Sequence, residues 1–164
     1  MLTLEPLRPD HADAVLAFEL ANRAWFARTV PDRGDAYFTA TGFAGRHAAL
    51  LAEQAAGVCR FHLVLDADGT LVGRLNLMDL VDGGAELGYR VTESAAGRGV
   101  ATAAVALARR VAARDYGLRS LTAATTLDNP ASAAVLTRNG FTATGECLLD
   151  GRPGVRYHRD LDGA

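Results

Sequence analysis

Lysine is absent. Reading the 164 residues end to end finds 17 basic side chains, every one an arginine. That absence excludes a Walker-type P-loop NTPase, a pyridoxal-phosphate enzyme and a Schiff-base aldolase, because each depends on a lysine amine. A dominant charge is lacking too. The 17 arginines face 19 acidic residues, giving a formal net charge of -2 and a pI of about 6.1. This near-balance argues against a nucleic-acid binder held mainly by phosphate contacts. Cysteine is scarce: Cys59 and Cys147 stand far apart, without CxxC or Cys/His spacing. Two such cysteines make no disulfide framework, so two free thiols in an intracellular chain are expected. The four histidines, at 11, 47, 62 and 158, show no ligand spacing, and no metal site is expected.

Long apolar runs are also missing. The longest weakly polar stretch, 100–108, is far short of the roughly 20 residues a membrane helix needs. Residues 1–6 lack the basic and apolar regions of an export signal. The expectation is a cytoplasmic chain with neither a membrane nor a nucleic acid as partner. What is present is 49% hydrophobic and 22% charged, with 17 Gly and 5 Pro, which predicts one domain with a sizeable core.

The pattern opens with a short strand over 2–7. Pro9 and Asp10 then start an amphipathic helix over 11–23, with His11 early in it and Ala14, Val15, Phe18 and Ala21 on one face. Residues 25–41 hold Pro31 and Gly34 among isolated aromatics and read as loop with short helical pieces. A helix over 46–56 ends at Gly57. Strands over 61–65, 71–80 and 85–91 form an antiparallel meander, turning at 66–69 and at Asp82-Gly83-Gly84. Helical spacing returns over 100–116, with Val100, Ala104, Leu107, Ala108 and Val111 apolar. Arg109, Arg110 and Arg114 suit the C-terminal end of that helix. A strand over 121–126 leads to Asn129-Pro130, a cap and a first-turn proline, and a helix runs on to Gly140. Strands over 141–149 and 155–161, joined by the turn 150–154, close the chain. The order predicts a mixed α/β sheet.

Chemistry concentrates in two stretches. In the first, the strand Glu86-Leu87-Gly88-Tyr89-Arg90-Val91 leads through a short loop into Gly97-Arg98-Gly99-Val100-Ala101. A strand feeding a glycine loop that opens a helix favours anions. The first helical N–H groups lack intrahelical partners, the dipole is positive there, and glycine lets a diphosphate approach the main chain. A Rossmann fingerprint does not fit, because Thr102 stands where the next glycine belongs and a meander precedes the loop. The second stretch runs from Asn129 and Ser132 through Arg138 to Gly140-Phe141.

Together these stretches resemble the GNAT acetyltransferases, and within them the RimJ/RimL branch that acetylates ribosomal-protein N-termini. The resemblance spans nearly the whole chain, and Ala85-Glu86-Leu87-Gly88-Tyr89 before Gly97 is particularly like that branch. It implies a mostly antiparallel central sheet of six to seven strands flanked by about four helices. It also implies acetyl-CoA as donor and direct transfer to a primary amine in a ternary complex.

Carried over by position, the amides of Gly97, Arg98, Gly99, Val100 and Ala101 would hold the diphosphate. The main chain of Tyr89, Arg90 and Val91 would pair with the pantetheine arm. Asn129 would bond the pantetheine side, and Arg138 would sit near the phosphates. Ser132 would protonate the departing thiolate, since the family's tyrosine four positions on is Leu136 here. The polar and basic residues that usually open the family's loop are Ser94 and Ala96, which leaves Arg98 as side-chain help.

An amine must be neutral to attack, which calls for a base. Glu86 is the first candidate and Glu146 the second. Alternation places Glu86 and Arg90 on one strand face, with Leu87, Tyr89 and Val91 on the other. Glu86 is therefore equally readable as an ion-pair partner of Arg90 or of another arginine. Asn129 is also a plain helix cap, and Ser132 an ordinary small helix residue. Trp25, Phe26 and Tyr37 line an acceptor groove in one reading and pack a core in the other.

The acceptor favoured by the resemblance is a protein N-terminus. A small amine is the alternative, an antibiotic or a polyamine, and for the latter Asp32, Asp35, Asp79 and Asp82 are candidates to frame an acidic pocket. A silent acyl-CoA-binding module is the rival from another class. An open sheet edge between the fifth strand and the closing pair would permit a homodimer.

Overall fold

The computed structural model describes residues 1–161. Its strands are β1 (Thr3–Pro6), β2 (Arg60–Leu65), β3 (Leu71–Val81), β4 (Gly84–Val91), β5 (Ser120–Thr126), β6 (Thr142–Leu149) and β7 (Arg152–Asp160). They form one sheet in the order β1-β2-β3-β4-β5-β7-β6. Every neighbouring pair is antiparallel except β4 and β5, which run parallel. The helices are α1 (Ala12–Ala21), α2 (Arg23–Phe26), α3 (Ala40–Ala55), α4 (Val100–Arg114) and α5 (Pro130–Arg138). This is the mixed, mostly antiparallel architecture expected, with five helices among the described residues instead of about four.

Local chemistry accounts for most boundaries. Asp82 and Gly83 both take positive φ, 51° and 78°, and so form the left-handed two-residue turn that matches the twist of the β3–β4 hairpin. α3 starts six residues earlier than the sequence pattern suggests, because the Thr39 hydroxyl caps it by accepting from the Gly42 N–H at 3.0 Å. The helix expected over 11–23 is instead a 3-10 turn at Pro9–His11, then α1, then α2 after a break at Asn22. Its buried face is Val15, Phe18 and Glu19; Ala14 and Ala21 are exposed.

The sheet has a different core on each face. Leu7, Val15, Phe43, Leu50, Phe61 and Leu63 pack together where α1 and α3 cover one face. Leu75, Leu77, Leu87, Val105, Leu121 and Leu136 lie among the apolar residues beneath α4 and α5 on the other. Leu75, Leu77 and Leu121 are fully buried, so truncating any of them to alanine costs about 2–5 kcal/mol.

One topological feature builds the site. β4 and β5 pair only where Gly84–Glu86 meets Ser120–Thr122. Beyond that point neither strand has the other as partner, and the sheet splays open. The open edge expected beside the closing pair is absent, however. β5 pairs with β7 along Ser120–Thr126, and β6 forms the outer edge.

Candidate active site

On the α4–α5 side of the splay a groove of about 610 Å³ runs between the end of β4, the loop before α4, and α5. Gly97 and Gly99 take φ of 73° and 77°, a conformation that strains any residue with a Cβ. A Cβ at either position would meet nothing within 4 Å, so this main chain faces open space. No side chain caps α4 at Gly99, which leaves its first N–H groups directed outward at the positive end of the helix dipole. Val100, Ala101, Asn129 and Arg138 all line the groove. Arg98 does not. It is exposed and is not among the lining residues, so the loop presents main chain and glycines to the groove.

The β3–β4 ladder decides which β4 backbone groups are free. Thr92 N–H donates to Val72 O at 2.8 Å, which makes that a hydrogen-bonded pair. In an antiparallel ladder such pairs alternate, so Arg90, opposite Arg74, also directs its N–H and C=O toward β3. The groups of Leu87, Tyr89 and Val91 face the splay. The Arg90 main chain is therefore committed to β3, and the expectation that it pairs with a pantetheine arm is corrected. The Val91 carbonyl already accepts from Trp25 Nε1 at 3.0 Å, which ties α2 across the groove.

The Tyr89 side chain contributes what the sequence reading missed. Its hydroxyl lies 3.0 Å from Ser132 Oγ and 3.3 Å from Ser132 O. Burial pushes the phenol pKa up to about 12, so it keeps its proton throughout the neutral range. Ser132 is fixed in turn by Asn129, whose Oδ1 accepts from Ser132 N at 3.2 Å and caps α5. Asn129 is thus a true cap and also lines the groove. The signal for the phenol was alternation, which put Tyr89 on the face opposite Glu86. Its partner 43 residues away was not readable.

A second cavity, of about 530 Å³, opens on the α1–α3 side. It shares Phe26, Thr29, Tyr89, Arg90, Asn129 and Ser132 with the groove, so the two meet through the splay. Glu86 lines it, half-buried, and among the described residues no side-chain ion pair or hydrogen bond engages its carboxylate. The pairing considered for Glu86 and Arg90 does not form. Arg90 instead bonds Glu19 of α1 at 2.9 Å, and Arg74 bonds the same carboxylate oxygen at 3.0 Å. Arg33 lies 3.5 Å from that oxygen.

Other candidates fall elsewhere. Glu146 is exposed on β6 and lines a separate depression beside Leu127 and Val155, away from both cavities. Asp32, Asp35, Asp79 and Asp82 do not line the second cavity. Asp32 and Asp35 are both bonded to Arg23 at 2.8 Å, while Asp79 and Asp82 lie at the far end of the β3–β4 hairpin. Of the three aromatics, Phe26 lines both cavities, Trp25 lines only the groove on the α4–α5 side, and Tyr37 packs edge-on against Phe43 in the α1–α3 core.

A splayed β4, a glycine loop opening α4 and a capped α5 together frame two cavities that meet through a gap in the sheet. The model of the acetyltransferase (GNAT) domain matches residues 1–142, and the chain belongs to that family of acetyltransferases. No curated protein matches it in sequence. Among solved structures it is similar to the ribosomal-protein-S5-alanine acetyltransferase of Vibrio fischeri, at 20% identity and TM-score 0.88, covering 99% of this chain and 94% of that one. It is similar to Mycobacterium smegmatis RimJ in complex with CoA-disulfide, at 25% identity and TM-score 0.88, covering 98% and 82%. It also resembles a point mutant of SpeG spermidine N-acetyltransferase from Vibrio cholerae, at 18% identity and TM-score 0.79, covering 98% and 94%. None of the helices among the described residues is long and apolar enough to cross a membrane.

Proposed function

We propose that this chain transfers an acetyl group from acetyl-CoA to the α-amine of a protein N-terminus. The observation that carries the reading is the pair of cavities joined at Tyr89, Asn129 and Ser132. One has the uncapped helix start that suits a diphosphate; the other is wide enough for a peptide end. The similarity to RimJ and to the S5-alanine enzyme supports this acceptor over a small amine.

Bound acetyl-CoA supplies an activated acetyl thioester. The residues of the chain do the remaining work. Amides of Gly97 and Gly99 through Ala101 hold the diphosphate, with Arg138 beside them. The β4 main-chain groups that face the splay align the pantetheine arm as an added strand and donate to the thioester carbonyl. Glu86 takes the proton that the attacking amine must lose, directly or through a water. Ser132, oriented by Asn129 and Tyr89, holds a proton ready for the sulfur. Most of the acceleration comes from placing the two substrates in line.

The test is thermal unfolding with acetyl-CoA and CoA, followed by thiol release with peptides beginning Ala or Ser and with small amines. Stabilisation by both ligands and turnover of the peptides are expected. No shift with either ligand overturns the cofactor assignment, and turnover of small amines alone overturns the acceptor.

A further inference from the structure

We propose that the acceptor carries a carboxylate within a few bonds of its amine, and that Arg33, Arg74 and Arg90 recognise it on the wall of the acceptor cavity. The placement of the amine rests on the acetyl-transfer reading above; the charge preference rests on the cavity itself.

The wall is built around one carboxylate. Glu19 is 2% exposed, and its Oε1 receives Arg90 at 2.9 Å, Arg74 at 3.0 Å, the Tyr37 hydroxyl at 3.4 Å, and Arg33 at 3.5 Å. Three guanidinium groups against a single carboxylate leave two positive charges in excess. They also leave most of the arginine N–H donors without a partner on Glu19, because each guanidinium carries five. The arginines cannot relax far. Arg90 lies over the Phe26 ring at 4.6 Å and Arg33 over the Tyr37 ring at 4.9 Å, while Arg74 is 5% exposed.

All three arginines line the cavity, and its other charged residues do not cancel them. Asp150 is exposed at the rim, and Arg152 is engaged with Asp128. Glu86 stands four residues from Arg90 on the same face of β4. Between them Gly88 adds no side chain and is covered by Met78, whose Cε lies 3.2 Å from where a Cβ would stand, while the cavity lining continues to Tyr89 and Ser132. Arg90, with Arg74 paired opposite it, is two residues farther along the strand, or about 7 Å. The amine and the anionic group of one acceptor are thus served from opposite directions: Glu86 on one side, the arginines on the other. A polyamine has the wrong sign throughout. A free amino acid and a peptide whose next residue is acidic both have the right one.

The experiment uses the intact chain with Ala-Glu, Ala-Gln and Ala-Lys peptides, free glutamate, and spermidine. Binding is read by thermal shift in the presence of CoA, and turnover by thiol release with acetyl-CoA. The acidic peptide or the amino acid is expected to exceed its neutral counterpart by about 10- to 100-fold in kcat/KM, mainly through KM. Arg33→Gln or Arg90→Gln should collapse that ratio toward one. A variant that merely loosens the fold lowers both peptides together and leaves the ratio intact, which counts against the proposal. Equal turnover of the three peptides, a preference for Ala-Lys or spermidine, or no binding by any anionic acceptor overturns it. Anionic acceptors that bind but are not acetylated would support the charge preference and sink the transferase reading instead.

Discussion

The Tyr89 hydroxyl of β4 meets the Ser132 hydroxyl of α5 at 3.0 Å, at the point where the two cavities join. Two side chains from different segments therefore form one proton-bearing unit. If they act together, Ser132→Ala and Tyr89→Phe should each lower kcat by about 100-fold, within the range typical of acid catalysis. The double variant should lose little more than either single one. Steady-state kinetics on a confirmed acceptor checks this, with KM for acetyl-CoA nearly constant. Additive losses would mean two separate roles.

Glu86 lines the acceptor cavity without an ion-pair partner among the described residues. Glu86→Gln is expected to reduce kcat/KM by about 100-fold near pH 7. Part of that loss should return toward pH 9, where more of the amine is already neutral. A pH–rate profile of the variant parallel to wild type would remove Glu86 from the base role.

Glu19 is the one carboxylate holding three arginines. Glu19→Ala should destabilise the chain by about 3–5 kcal/mol, because Arg74 is buried and cannot regain water once its partner is gone. Arg33→Gln should cost far less, since Arg33 is 35% exposed and its contact is the longest of the three. Urea unfolding of the two variants measures the difference, and equal losses would deny Glu19 its central place.

His62 is 2% exposed and bonds the Tyr116 hydroxyl at 2.7 Å. Burial lowers its pKa to about 4, so the folded chain keeps it neutral while the unfolded chain protonates near 6.5. The unfolded state thus binds more protons below pH 6.5. Stability is full above that pH and falls as pH drops toward 4, by about 2–3 kcal/mol between pH 7.5 and 4.5. His62→Gln should show a shallower decline over the same window. Equal stability losses between the two pH values in His62→Gln and wild type would exclude His62 as the source.

Much of the fold was legible because its signals are local. The β3–β4 turn at Asp82-Gly83 depends on two left-handed residues, and the α5 start on Asn129 followed by Pro130. The loop from Gly97 to Ala101 was legible for the same reason, as glycine spacing before an apolar helix. The start of α3 was not, because Gly42 and Gly45 weaken helix propensity there and the Thr39 cap was not recognised. Nothing local marks Glu19, because its partners come from β3 and β4, 55 and 71 residues away.

By itself, then, the sequence determined the strand and helix order, the exclusion of lysine chemistry and the glycine loop that opens α4. Each of these follows from residue type and spacing along a single segment. Only the tertiary structure decided that Glu86 is free of Arg90, that Glu146 and Arg98 lie outside the two cavities, and that Tyr89 joins Ser132. It also decided that Arg33, Arg74 and Arg90, not Asp32, Asp35, Asp79 or Asp82, line the second cavity. Those facts depend on where the splay between β4 and β5 begins and on which faces it exposes, and strand pairing sets both across distant parts of the chain.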